Sequence, residues 1–398
     1  MKNKKVYFEI CIIGSGLIGL VMALMLSKLN LKILLIDKTN VLNKKKKHCD
    51  GRTTAISQGT KRIFDSLGFW KRLELFAQPI KKILVYDEIS ESLEFDSKML
   101  DEGPLGYIIQ NNILKQSLLE EALRSKNIDF LENTEVININ FYDEKNKVEV
   151  ITEKRKITSK LVIGCDGRNS KSRYFSNLKS FEYKYLQNAY VFNISHEKDH
   201  FGVALERFFP AGPLAILPMK SSKKNSFNSS VVWTVDYELG DFSKLTKNEF
   251  KLEFLNRYQN FLGNIMNITD PNVYPLNVKY SYRCFRNNFV LIGDASQAIH
   301  PIAGQGFNLG VRDCDILLKN INQAMLMKKE IGSLEVLSKF SRQRSVDRKL
   351  FINATHNLNL FFSNNNKFLK GFRKMGISIL QNSKFIKNQL MMVAMGLK

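Results

Sequence analysis

Residues 5–37 read KVYFEICIIGSGLIGLVMALMLSKLNLKILLID. Before Gly14 the run is apolar and β-branched, after Gly16 it has the texture of a helix, and residues 31–37 form a second apolar run ending on an acid. This order predicts strand, glycine turn, helix and strand, a βαβ unit. Gly14, Gly16 and Gly19 form G-x-G-x-x-G within it. The first glycine permits a tight turn, the second lets a pyrophosphate approach the backbone, and the third lets helix and strand pack closely. The helix's first amides then hold the phosphates. Asp37 stands 23 positions after Gly14, where a carboxylate can accept the hydroxyl hydrogens of an adenosine ribose. A generic strand-end acid is the alternative reading for Asp37.

Two later stretches extend the pattern. In LVIGCDGRNSKSR, residues 161–173, an apolar strand ends at Gly164, Asp166 and Gly167 and gives way to a polar, basic turn. Alone, that could be any strand-to-loop junction. FVLIGDASQAIHPIAGQGFNLGVRD, residues 289–313, is more specific. A strand delivers Asp294 to its C-terminal end, His300 and Pro301 make a turn, and Gly304, Gln305 and Gly306 open a helix. Its unpaired amides face back toward the strand end. A carboxylate there can hold polyol hydroxyls, and the helix start can stabilise negative charge on a ring lying against it.

Between these motifs the texture changes. NKKKKHCDGRTTAIS reads as a solvated loop around Arg52, residues 59–77 as helical, and residues 80–98 as extended segments leaving the first domain to add strands elsewhere. A second amphipathic helix follows at 112–126, then short strands in a meander. Residues 183–280 alternate like strands (NAYVFNIS, GVALERFF, LAILPM, SSVVWTV), with a helical piece near 247–262. The expected division is therefore 1–78, 100–182 and 281–398 in an α/β, Rossmann-like domain with C-terminal helices. A sheet-dominated α+β domain of 79–99 and 183–280 is interleaved with it.

The 398 residues are 44% hydrophobic, which suits two or three domains and excludes a disordered chain. Five scattered cysteines without a C-x-x-C pair argue against a zinc ribbon and against an exported disulfide protein. The glycines that punctuate residues 10–26 mark a buried strand and helix start in place of a signal peptide, and no apolar run is long enough to span a membrane. A net charge of +22 suits nucleic acid, an anionic membrane, anionic ligands or a compositional bias toward lysine. No acid follows Asp347, while apolar residues such as Phe385, Ile386, Leu390 and Met391 alternate with lysines. That tail reads either as an amphipathic face for a lipid surface or as a packed helix with solvated lysines.

The three motifs, in this order, resemble the FAD-dependent aromatic hydroxylases of the p-hydroxybenzoate hydroxylase type, the GR2 flavoproteins. HPIAGQGFNLGVRD, LGYIIQNN, FSRQRSVD, LFFSNNN and the terminal AMG are similar to the ubiquinone-biosynthesis hydroxylases within them. The resemblance implies that Gly14, Gly16, Gly19 and Asp37 take the ADP half of FAD, that Arg52 contacts the cofactor, and that Asp166 and Gly167 serve FAD and the reductant. It implies that Asp294 binds the ribityl chain and that the segment from Pro301 through Gly304, Gln305, Gly306 and Phe307 to Asn308 lines the flavin ring. The implied reaction is a monooxygenation in which reduced flavin traps O2 as a hydroperoxide that attacks the electron-rich ring of a polyprenylated phenol. No conventional acid or base is demanded, and His300 reads as a turn-former more than a base. Electrons come from NAD(P)H or a donor protein. Other ubiquinone-biosynthesis proteins are further expected partners, and neither a metal nor nucleic acid is expected. The expected location is cytoplasmic, with peripheral attachment to the inner membrane as a further expectation.

Two departures from that family stand out. Asn112 occupies the start of the 112–126 helix where relatives place arginine, and His356 or Asn357 stands where they carry an acid. A different FAD-dependent oxidoreductase of the same fold, acting on another aromatic substrate, is the alternative, whereas the W-x-W-x-I-P element of halogenases does not occur.

Overall fold

The computed structural model describes residues 5–40, 51–87, 91–142, 146–221, 226–239, 242–300, 304–362 and 380–398. Strand β1 (Lys5–Ile13) turns at Gly14 into α1 (Leu17–Ser27), and β2 (Ile33–Ile36) returns parallel to β1. All of β2 and the run Gly19–Leu26 of α1 are buried, which is why these segments read as unbroken apolar runs and not as alternation. Next come β3 (Thr53–Ser57), α2 (Gln58–Ser66), the single turn α3 (Trp70–Leu73), β4 (Gln78–Ile80), β5 (Lys82–Asp87), β6 (Glu91–Asp96), β7 (Gly106–Gln110), α4 (Asn111–Arg124) and β8 (Ile128–Leu131). The meander is β9 (Val136–Tyr142), β10 (Lys147–Thr152) and β11 (Lys156–Gly164), whose last strand lies parallel to β1.

After the short α5 (Lys171–Phe175) the chain forms β12 (Ser180–His196), β13 (Val203–Phe209), β14 (Gly212–Met219), β15 (Phe227–Asp236), α6 (Lys247–Tyr258), β16 (Ile265–Ile268) and β17 (Asn272–Ser281). A Thr246–Glu249 capping box starts α6. The strands β18 (Phe285–Arg286), β19 (Phe289–Leu291) and β20 (Gln297–Ala298) precede three helices, α7 (Gly306–Leu326), α8 (Leu334–Phe362) and α9 (Lys384–Ala394).

Three sheets result. The first runs β18-β19-β11-β1-β2-β8, with β10 and β9 continuing from β11; the second runs β20-β17-β12-β15-β14-β13-β5-β6, with β16 on β12; the third is β3-β7-β4. The extended segments expected at 80–98 are β5 and β6, and β5 joins the second sheet parallel to β13. Three features differ from the sequence reading. The β3-β7-β4 sheet has no counterpart in it, β12 starts at Ser180, and β20, part of the third motif, pairs with Lys279 and Tyr280 at the edge of the second sheet.

The second sheet has two unlike faces. Leu205, Trp233 and Phe192 pack under Phe250, Phe254 and Tyr258 of α6. Ala204 and Met219 point the other way, into an apolar cluster with Ile80, Leu105 and Ile108 and with Met391 and Met395 of α9. That inner face thus packs against the third sheet and α9.

Candidate functional site

The glycine turn divides its three glycines by what surrounds them. Gly14 has φ +101°, and a Cβ there would lie 2.7 Å from the Cys165 carbonyl oxygen. One on Gly19 would lie 1.9 Å from the Gly14 carbonyl oxygen, so both glycines are required by protein packing. Gly16, at the start of α1, has no protein atom within 4 Å of its Cβ position. Open space at that one glycine is the cradle a pyrophosphate needs. Asp37 accepts from the Ser15 amide at 2.7 Å, the Ser15 hydroxyl at 2.6 Å, the Thr39 amide at 2.8 Å and the Thr39 hydroxyl at 2.7 Å. Burial acts to raise its pKa, but these four donors outweigh it and hold the carboxylate below its ordinary range.

The second motif meets the first at the same point, because the Cβ of a residue at 14 would also touch Asp166. The Asp166 carboxylate itself turns to α5, accepting from the Ser170 hydroxyl at 2.6 Å and the Ser172 amide at 2.9 Å. Gly167 has φ +79° and open space beside it. Its neighbour Arg168, which the sequence reading did not single out, donates to Asn277 Oδ1 at 2.9 Å and to the Ile299 carbonyl at 3.2 Å, tying this turn to β17 and the third motif.

In the third motif the Asp313 carboxylate accepts the Gly293 amide at 3.0 Å and so fixes the strand end that carries Asp294. Asp294 keeps some accessible surface, and among the described residues no protein donor hydrogen-bonds to it. Burial pushes its pKa up, and the nearby Arg168 and Arg52 pull it partway back. A Cβ on Gly306 would lie 3.8 Å from Asp294 Oδ1, so the carboxylate sits at the start of α7. A desolvated acid without a protein donor, beside free helix amides, fits a polyol chain that brings its own hydroxyls.

The remaining site residues divide between scaffold and cleft. Arg52 lies over the Tyr274 ring at 5.4 Å. Asn308 accepts from the Ser57 amide and the Thr60 hydroxyl, both at 2.9 Å, and donates to the Ala55 carbonyl at 2.9 Å, pinning α7 to β3 and α2. Phe307 packs edge-on to Phe64 in the core. These two side chains hold the helix in place, which leaves their backbone amides for a ligand. Gly304, with φ +59°, abuts Ala55, and Gln305 donates to the Ala394 carbonyl of α9 at 3.2 Å. Pro301 lies outside the described residues. His300 is buried, and burial first, then Arg168 and His356, lowers its pKa to about 3. A ring so hard to protonate is a poor base, in line with a turn-forming role.

Three further contacts or groups are visible only in the structure. Tyr185 Oη and His356 Nδ1 are 2.7 Å apart, so His356, one of the two residues that stand where the family carries an acid, is anchored to the second sheet. Asn111, next to the variant Asn112, accepts from Thr54 at 2.5 Å and takes over the link between α4 and β3. Glu206 on β13 belongs to the inner face of the second sheet. Burial pushes its carboxyl up to about 7, and among the described residues no cation or donor meets it. No group of three or more His, Cys, Asp or Glu among the described residues could hold a metal.

A family model described as an FAD binding domain matches residues 7–345. The chain is 29% identical to the ubiquinone hydroxylase UbiL of Rhodospirillum rubrum, over 98% of this chain and 89% of that one. It is 25% identical to the 3-demethoxyubiquinol 3-hydroxylase of Escherichia coli, over 98% of both. Its fold is similar to the crystal structure of p-nitrophenol 4-monooxygenase PnpA from Pseudomonas putida, with a TM-score of 0.80, 17% identity, and 98% and 97% of the two chains covered.

Proposed function

We propose, from the premise that this chain belongs to the FAD binding domain family, that it is an FAD-dependent monooxygenase hydroxylating the ring of a polyprenylated phenol in ubiquinone biosynthesis. The observation that carries the cofactor part is Asp294, a carboxyl at the start of α7 with no protein donor among the described residues. The end-to-end likeness to ubiquinone hydroxylases supports the substrate part.

In this reading Gly14, Gly16 and Gly19 cradle the pyrophosphate, and Asp37, already ordered by Ser15 and Thr39, takes the ribose. Arg52, Asp166 and Gly167 border the cofactor, Asp294 receives the ribityl hydroxyls, and the amides of Gly306, Phe307 and Asn308 stabilise negative charge on the ring. When bound, FAD activates O2 and supplies the oxygen that enters the phenol. The chain's part is to orient that phenol and exclude water, and Ala204, Leu217, Met219, Ile108, Met391 and Met395 form an apolar wall suited to both.

The reductant is NAD(P)H or a donor protein. A lipid-borne substrate calls for work at a membrane surface. Among the described residues no helix is long and apolar enough to cross a membrane, but α9 leaves Phe385 74% exposed, with Leu390 and Ile386 beside it. These residues and the exposed Lys384 suit peripheral attachment to an anionic leaflet, while Lys387 and Met391 pack inward. The test is purified protein supplied with a short-chain polyprenylphenol and NAD(P)H or a reduced donor. Yellow protein that yields a product one oxygen heavier by mass spectrometry supports the reading. Colourless protein overturns the cofactor assignment, and yellow protein without product overturns the substrate assignment.

A further inference from the structure

Register across the second sheet places Glu206 in a rung that is otherwise apolar from Leu93 to Val191 and ends at Asn272. It pairs with Ala215 on β14 and Val85 on β5; beyond them Val85 pairs with Leu93, and Ala215 with Val232, which pairs with Val191. Along β13 the face alternates: Leu205 enters the α6 core and Arg207 lies over Tyr86, while Ala204 enters the inner cluster. Glu206 shares the face of Ala204 and Phe208. The cluster that its same-face neighbour Ala204 enters also contains Ala55, and a Cβ on Gly304 would lie 3.1 Å from Ala55 Cβ, so this face of the second sheet is directed toward the Gly304–Gly306 turn.

An acid here is costly to the fold. Desolvation is the single cause of its displacement, and no nearby charge offsets it. The charged groups nearest in register are Asp87, two positions along the same face of β5, and Lys387 of α9, whose ammonium points to the Glu94 carbonyl at 3.4 Å. The facing residues of the third sheet, Ala55, Ile80 and Ile108, and Leu105 just before β7 carry no titratable group. Glu206 nevertheless keeps accessible surface, and its same-face neighbour Ala204 and cross-strand neighbour Ala215 are both small.

We propose that Glu206 engages the hydroxyl group of the phenolic substrate, its carboxylate accepting the phenol's hydrogen bond and then its proton. The phenol O–H bond breaks, a carboxyl O–H bond forms, and the electron pair left on the oxygen enriches the ring for attack. The proposal rests on the phenol hydroxylase reading above. A carboxyl raised to about 7 stands closer to a phenol, near 10 in water, than an ordinary glutamate does, which favours the transfer.

The test uses FAD-loaded protein and 2-prenylphenol, a soluble member of the class, with binding read from the flavin difference spectrum between pH 5 and 9. Wild type should bind about tenfold more tightly above pH 8 than below pH 6. Glu206→Gln should keep its FAD, bind within about threefold of wild type at pH 6, and lose both that pH dependence and the limb near pH 7 in kcat/KM. Glu206→Leu should bind about tenfold more weakly throughout. If the glutamine variant keeps the wild-type pH dependence and affinity, Glu206 is not the group, whatever the leucine variant does. A wild-type flavin spectrum that 2-prenylphenol leaves unchanged at every pH overturns the phenol reading itself, and this proposal with it.

Discussion

Two regions of the molecule treat a carboxylate in opposite ways. At the α7–α8 interface Asp313 is fully buried, accepting Arg344 Nε at 2.7 Å, Arg348 Nη2 at 3.4 Å and the Gly293 amide at 3.0 Å. Burial would depress both guanidiniums, yet Asp313 raises them above the ordinary arginine value, so the network stays charged. Asp294 and Glu206, by contrast, meet no donor among the described residues, and both are pushed upward. Paired charge holds the scaffold rigid, whereas an acid that the fold desolvates without pairing is poised for a ligand. Arg348 belongs to the acid-free C-terminal stretch, but its side chain is 11% exposed and serves the core, not the surface.

The largest effect expected from this contrast is at Asp313. Asp313→Ala strands Arg344 and Arg348 and should cost about 3–5 kcal/mol of stability in urea unfolding, with Asp313→Asn less severe. Because the Gly293 amide loses its acceptor, flavin retention should fall in the same variant. Unfolding free energy within 1 kcal/mol of wild type would show that paired and unpaired acids do not differ as argued.

Asp294 sharpens the contrast from the other side. On the proposed reading Asp294→Ala removes a hydrogen bond to FAD worth roughly 1.5–3 kcal/mol, so affinity should fall about ten- to a hundredfold, while the FAD-free protein unfolds no more easily than wild type. Gly16→Val should behave alike, since no protein atom lies within 4 Å and only the cradle is filled. Flavin titration and unfolding of the apo-protein separate the outcomes. Either variant retaining full flavin would remove its residue from the site.

How much of this was legible in the sequence follows from the range of the constraint. The positive φ of Gly14, the approach of Gly19 to the Gly14 carbonyl and the bonds of Asp37 to Ser15 and Thr39 all lie within one βαβ unit, where spacing alone reports them, whereas the contact of Gly14 with Cys165 and Asp166 is long-range. Asp294 and Gly306 are legible for the same reason. The β3-β7-β4 sheet depends on pairings between segments from about thirty to more than fifty residues apart, and no local pattern in TTAIS or GYIIQ names the partner. Glu206 is hidden differently. In VALERFF the adjacent Glu206 and Arg207 interrupt both faces of the strand, so alternation cannot say which of them points inward; the long-range pairing with Ala215 and Val85 does. Asn308 and Phe307 fall in a legible motif, yet their side chains go to α2 and the core, since a motif marks backbone position more surely than side-chain direction.

The smallest expected effect tests whether Glu206 costs stability, as an unpaired acid must. Its folded pKa of about 7 lies above that of an unfolded glutamate, near 4.3. Below about pH 4 both states are protonated and the group contributes no penalty. As pH rises toward 7 the unfolded chain releases the proton first, so wild type loses stability relative to Glu206→Gln, by at most about 1.4 kcal/mol per pH unit. Above pH 7 both states are ionised and the difference levels off. Because the side chain keeps some accessible surface, a total on the order of 1–2 kcal/mol between pH 5 and 8 is the expected result of urea unfolding of the FAD-free proteins. A wild-type curve parallel to that of the glutamine variant would mean that Glu206 is as well solvated as a surface acid, and Asp294 alone of the two would then be a poised carboxyl.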